Sequence, residues 1–236
     1  MADIDIAANL EAVRRRIDLA AERSARDPAG VDLLVVTKTW PPGVIAQVVE
    51  AGHGLLGENK LQEAEAKIPE LPTSMQWHFI GHLQRNKVRK ALGLFDVIHS
   101  VDSLRLARHL NRIAGEMGKS PEIYLQVNAE EEQTKGGFGL NGLGEVIREV
   151  LSLEQIHLAG LMSIPPAVDQ PEDARDSFRR LRELRDGLEK EFEISLPGLS
   201  MGMSHDFEVA IEEGATIVRV GSSIFGPRKA VRSTSS

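Results

Sequence analysis

The sequence predicts an α/β fold: a single (β/α)8 barrel of the TIM type with an extra N-terminal helix. Three observations carry that prediction. Eight short apolar or β-branched runs alternate with helical patterns, an order that lays strands parallel. At 236 residues the chain is close to the roughly 250 residues of one such barrel. No Gly-x-Gly-x-x-Gly turn follows the first strand, which disfavours the alternative, an open doubly wound sheet.

The elements follow in order. An amphipathic helix spans Ile6–Arg23, with Leu10, Val13, Ile17 and Ala20 or Ala21 on one face. Strand Val31–Val36 is β-branched and apolar, Pro41-Pro42 stops it, and a helix runs from Pro42 to Ala51. Strand Gly54–Gly57 precedes a helix through Leu61–Lys67, and strand Gln76–Ile80 precedes a helix from Gln84 to Leu94. After strand Val97–His99, the helix Ser103–Met117 carries a 3.6-residue stripe of Leu104, Ala107, Leu110, Ile113, Ala114 and Met117. Strand Glu122–Val127 leads to a helix from Leu143 to Leu151. Strand Ile156–Met162 leads to the charged helix Pro171–Phe192, which turns Ala174, Phe178, Leu181, Leu184 and Leu188 inward. Strand Gly198–Met201 with helix Phe207–Glu213, then strand Thr216–Val220 with a helical turn near Ser223, complete the set.

Composition narrows the function. Apolar residues make up 42% of the chain, enough for a core. A net charge of −7 argues against nonspecific nucleic-acid binding. The absence of cysteine excludes disulfides, thiolate catalysis and zinc–thiolate sites. No apolar run approaches the roughly 20 residues that span a bilayer. The opening Met1-Ala2-Asp3-Ile4-Asp5 is acidic and lacks a signal-peptide pattern, so a cytoplasmic protein is expected. Residues 1–228 read as one domain and 229–236 as a frayed tail. The charged helix faces, notably Arg175–Lys190, point to a monomer.

In a barrel of this kind, chemistry sits on the loops at the C-terminal ends of the strands. Unusual polar residues fall there repeatedly: Lys38, Glu58 and Asn59, His82 and Gln84, Ser100 and Asp102, Asn128, Ser163, Ser200 and Ser204, Gly221 and Ser222. Lys38 ends the first strand, where an amine with its stem among apolar groups loses proton affinity and becomes a nucleophile for carbonyls. Ser200-Met201-Gly202-Met203-Ser204 and Gly221-Ser222-Ser223 suit a phosphate, because small residues let backbone N–H groups approach an anion and hydroxyls add donors. The plainer alternative makes Ser204 an N-cap and Gly221 a turn. Arg219 lies within Ile217-Val218-Arg219-Val220 and shares a side with Ile217 and Gly221. Facing inward, it needs an acceptor: either a ligand's ring nitrogen or carboxylate, or an internal salt bridge to a residue such as Glu58.

A lysine, a phosphate cradle and an arginine together point to pyridoxal 5′-phosphate (PLP). Its aldehyde would form an imine with Lys38, its phosphate would lie against Ser204, Gly221 and Ser222, and its pyridine nitrogen would face Arg219. A cation opposite that nitrogen disfavours its protonation and leaves a poorer electron sink.

These residues belong to motifs specific in combination: Val36-Thr37-Lys38-Thr39; Gly57-Glu58-Asn59 with Gln62-Glu63; His78-Phe79-Ile80-Gly81-His82-Leu83-Gln84 with Asn86-Lys87; Gly160-Leu161-Met162; Ser200 to Ser204 with Asp206; and Val218-Arg219-Val220-Gly221-Ser222 with Ile224-Phe225-Gly226. From about Leu33 to Pro227 the chain resembles the pyridoxal-phosphate homeostasis proteins. The resemblance implies a barrel like the N-terminal domain of alanine racemase. It also implies an imine at Lys38, ring contacts near Asn59 and Met203, Arg219 at the pyridine nitrogen, and phosphate contacts at Ser204, Gly221 and Ser222. Small departures at Leu56, Lys60, Ser222 and Thr134–Phe138 remove none of these contacts.

The resemblance further implies a carrier that buffers PLP and supplies PLP-dependent apo-enzymes, without robust turnover and with no catalytic residue assigned. The sequence agrees: a two-base racemase needs a second proton-transfer group, and the one tyrosine, Tyr124, falls within a strand. Two rival readings stand beside it, a PLP-dependent amino-acid racemase and a phosphosugar-binding barrel enzyme. Elsewhere, His78 and His82 lack a carboxylate spaced to complete a metal site, so none is assigned. Arg85, Lys87, Arg89 and Lys90 read as a solvated helix face, and Lys135 as an exposed amine in a glycine-rich loop.

Overall fold

The computed structural model describes residues 4–129 and 136–227. The predicted tail and Lys135 lie outside the described residues. Eight parallel strands close into a barrel in sequence order: β1 (Asp32–Val36), β2 (Leu55–Glu58), β3 (Gln76–Phe79), β4 (Val97–Val101), β5 (Glu122–Val127), β6 (His157–Ser163), β7 (Gly198–Met203) and β8 (Ile217–Val220). Closure runs through β8 and β1, with Leu34 beside Arg219 and Val35 beside Val220. The helices are α1 (Ile6–Arg23), α2 (Pro42–Glu50), α3 (Leu61–Lys67), α4 (Val88–Leu94), α5 (Leu104–Met117), α6 (Leu143–Val150), α7 (Arg175–Phe192), α8 (Phe207–Glu212) and α9 (Ser222–Phe225).

Strand alternation builds two apolar layers from one set of strands. Leu33, Val35, Leu56, Trp77, Phe79, Ile98, Leu125, Leu199 and Val218 face outward and pack with the helices. Leu34, Val97, Tyr124, Met162 and Ile217 face inward and fill the lower barrel. Tyr124 fits only because residue 198 is glycine, since a Cβ there would lie 2.4 Å from the ring. Above this layer the inward positions turn polar, with His78, His99, Ser200 and Arg219 all buried.

The extra helix α1 buries Ile6, Leu10, Val13, Ile17, Ala20 and Ala21, the face that the sequence selects. It is tied to the end of the chain by Asn9 Nδ2, which donates to Ile224 O at 2.9 Å, and by Arg16–Glu208 and Arg23–Glu212 ion pairs. β4 and β7 run two residues past their predicted ends, to Val101 and Met203; in β4 the Ser100 hydroxyl donates to Gly81 O, where a solvated polar residue would have ended the strand. The helices expected from Gln84 and Pro171 open as 3-10 turns at Arg85–Lys87 and Pro171–Ala174. In the basic cluster, Arg89 pairs with Glu116 and Lys90 with Glu65 on the exposed surface. Among the described residues no helix is long and apolar enough to cross a membrane.

Candidate functional site

The C-terminal ends of the strands open onto a cavity of about 470 Å³. Lys38, Asn59, Met203, Ser204, Arg219, Gly221 and Ser222, which the sequence singles out from four separate loops and strands, all line it. Val36, Trp40, Ile80, Gly81, His82, Ile164 and His205 join them. Trp40 stacks on Phe225 at 5.3 Å between ring centroids, which stiffens the wall beside Lys38.

Lys38 is half-buried in the turn after β1. Its neighbour Thr39 has φ of 70°, the left-handed region that a β-branched residue rarely enters. Asn59 follows β2, and its Oδ1 is buried without a hydrogen-bond partner. Gly81 makes room for it: a Cβ at 81 would lie 1.9 Å from Asn59 O. Glu58, expected at the pocket beside Asn59, points the other way. Its Oε1 accepts from Thr37 Oγ1 and from Lys67 Nζ, each at 2.7 Å. Strand alternation explains this, because Glu58 shares the outward side of β2 with Leu56.

Ser204 is not an N-cap. That position of α8 belongs to Asp206, whose Oδ1 instead accepts from Met203 N–H at 2.6 Å. Ser204 Oγ accepts from Gly221 N–H at 3.1 Å and from Ser223 N–H at 3.4 Å. It therefore staples the loop after β7 to the loop after β8 at the cavity wall.

Arg219 forms the floor, and the internal salt bridge to Glu58 that stood as one of its two alternatives is not made, because Glu58 lies on the outward side of β2 and pairs with Lys67. Its Nη1 donates to Ser200 Oγ at 2.7 Å and its Nη2 to Ser163 O at 2.8 Å. Burial lowers its pKa to about 10, against the opposing pull of Asp206, so it stays cationic at neutral pH. Behind Ser200 lies a pair that the sequence reading missed. His99 Nδ1 is 2.8 Å from Ser200 Oγ, and His99 Nε2 is 2.9 Å from His78 Nδ1. Burial lowers His78 to about 4, and burial with His78 and Arg219 nearby holds His99 well below the usual range. Tyr124 stacks on His99 at 4.4 Å, and burial raises its pKa. The available signal was parity: His99 shares the inward side of β4 with Val97. His82, by contrast, sits exposed at the rim with its Nδ1 3.2 Å from Asp102 Oδ2. The two histidines thus occupy separate environments.

Comparison with known proteins agrees with the fold. The family model of the alanine racemase N-terminal domain matches residues 8–229. A pyridoxal phosphate homeostasis protein of Aquifex aeolicus is 46% identical over 221 residues, covering 93% of this chain and 97% of that protein. The chain belongs to the pyridoxal phosphate homeostasis protein family. A family member from Escherichia coli is 38% identical, with 95% of this chain and 97% of that protein covered. The solved structure of PipY from Synechococcus elongatus, with PLP bound, superimposes with a TM-score of 0.78 at 39% identity. It covers 91% of this chain and 100% of that one. Alanine racemase of Clostridium difficile shares the fold at a TM-score of 0.74 and 15% identity, over 96% of this chain and 58% of that one.

Proposed function

We propose that this cavity binds PLP as an imine of Lys38, and that the protein buffers PLP and supplies it to PLP-dependent apo-enzymes without robust turnover of its own. The observation that carries this reading is convergence. An amine, a hydroxyl-and-glycine cradle and a buried cation meet around one cavity, and the seven residues come from distant parts of the chain. The residues fit the group. Asn59 Oδ1, buried and unpartnered, suits a ring substituent that can donate a hydrogen bond. Ser204, Gly221 and Ser222 would hold the phosphate, Met203 would cover the ring, and Arg219 would donate to the pyridine nitrogen. PipY, a relative covered over its whole length, has been solved with PLP bound.

When bound, the group supplies an aldehyde carbon and a conjugated electron sink. Arg219 weakens that sink by keeping positive charge where a ring proton would otherwise sit. The one tyrosine lies buried against His99 in the barrel, away from the cavity lining. Both features favour storage over proton transfer at an amino-acid α-carbon. Exposed charge pairs along α7, such as Arg179–Asp176, support a monomer, and we place it in the cytoplasm.

Titration with PLP, followed by visible absorption and α-deuterium exchange of amino acids, tests the reading. A yellow band saturating at one equivalent with no exchange is the expected result. Exchange would favour a racemase. A colourless protein that binds phosphosugars would favour the barrel enzyme.

A further inference from the structure

The backbone on both sides of Lys38 is held by α3, a helix that contributes nothing to the cavity lining. Before Lys38, the Thr37 carbonyl accepts from Lys67 Nζ at 3.1 Å. After it, Thr39 N–H donates to Glu63 Oε2 at 2.7 Å. The two holds are joined, because Lys67 Nζ also donates to that Glu63 oxygen at 3.0 Å and to Glu58 Oε1 at 2.7 Å. Thr37 Oγ1 donates to the same Glu58 oxygen, closing the network on β1. Glu63 and Lys67 stand one helical turn apart, so both emerge on one face of α3.

The network is costly to build. The Lys67 side chain is 9% exposed and that of Glu58 is 0% exposed, and buried ion pairs lose much of their attraction to desolvation. Apolar residues would attach a helix to a barrel at less expense. Fastening of the Lys38 turn is what apolar residues could not supply. Thr39 is left-handed there, a conformation that persists only where its surroundings impose it.

We propose that Glu58, Glu63 and Lys67 are positioning residues for Lys38: they fix the Thr37–Thr39 turn so that Nζ is presented to the incoming carbonyl. The inference rests on Lys38 being the amine that holds PLP. That step would join the neutral Lys38 amine to the aldehyde carbon, and the carbonyl oxygen would leave as water with the two amine hydrogens. A turn free to relax would cost attack geometry, and small misplacements cost rate steeply.

The test uses Glu63→Ala, with Glu63→Gln as the conservative partner. Two readouts are taken: amide hydrogen exchange at Thr39 without PLP, and the rate at which the imine band grows on mixing with PLP. Glu63→Ala should speed Thr39 exchange and slow band growth, each by about tenfold, with circular dichroism unchanged. Glu63→Gln, which keeps an acceptor for Thr39, should restore most of both. Faster exchange with an unchanged rate of band growth would overturn the proposal, leaving the network a mere anchor for α3. If Glu63→Ala misfolds, Lys67→Met, which removes the donor to the Thr37 carbonyl, is read in the same two ways, and band growth identical to the parent overturns the proposal. A parent protein that forms no band fails the Lys38 reading itself, an outcome distinct from the other two.

Discussion

Arg219 Nη1 donates to Ser200 Oγ at 2.7 Å, and this contact begins a chain of buried polar groups that runs through His99 to His78. A guanidinium only donates, so the Ser200 oxygen accepts from it, and we predict that the serine hydrogen turns toward His99 Nδ1. His99 then carries its proton on Nε2 and gives it to His78 Nδ1, which leaves His78 as the Nε2–H tautomer too. At pH 7, nitrogen-15 NMR should find both rings neutral and protonated at Nε2. A His99 ring protonated at Nδ1 would contradict the chain of donors, and Ser200→Ala should release its tautomer.

The same burial gives stability a pH dependence. His78 is held at about 4 in the fold, against roughly 6.5 when unfolded. Below the unfolded value, the unfolded chain takes up a proton that the folded chain refuses. The His78 contribution is therefore intact above about pH 6.5, declines as pH falls toward 4, and levels off once the folded ring protonates. The loss across that window is roughly 3 kcal/mol. Urea unfolding at pH 7 and pH 5 should show a smaller drop for His78→Gln than for the parent. Equal drops would refute the assignment.

Gly81 is the residue on which the Asn59 wall depends. A Cβ there would fall 1.9 Å from Asn59 O and 2.6 Å from its carbonyl carbon, so backbone must move. Gly81→Ala should cost about 1–3 kcal/mol of stability and weaken PLP binding. Thermal unfolding and absorption titration check both, and an unchanged melting temperature would contradict the packing.

Ser204 joins the two loops assigned to the phosphate. Ser204→Ala should weaken PLP about tenfold, the scale of one charge-assisted hydrogen bond, while affinity for pyridoxal, which lacks the phosphate, stays within about twofold. Equal losses for both ligands would move the phosphate elsewhere in the cavity.

Much of this was legible in the chain. Alternating apolar runs gave the closed barrel, and β5 runs from Glu122 to Val127 as read. Position just after a strand was enough to bring Lys38, Ser204 and Ser222 to one cavity. That cue failed for Glu58, whose side of the strand is set by alternation and whose partner Lys67 comes from the next helix. The Arg219–Glu58 pair, one of two alternatives for Arg219, is not made for the same reason. The histidine pair was hidden more deeply: His99 meets Ser200 across 101 residues of sequence, and no local period records a contact of that kind. Buried polar groups that satisfy one another across a barrel are legible only once closure is known.

The most direct test of the central claim is to load the protein with one equivalent of PLP, reduce it with borohydride, and map the pyridoxyl group by peptide mass spectrometry. The group should lie on Lys38, and Lys38→Ala should carry none while keeping the circular dichroism of the parent. A label on another lysine, or an equal label in Lys38→Ala, would contradict the assignment of Lys38 as the residue that holds the cofactor.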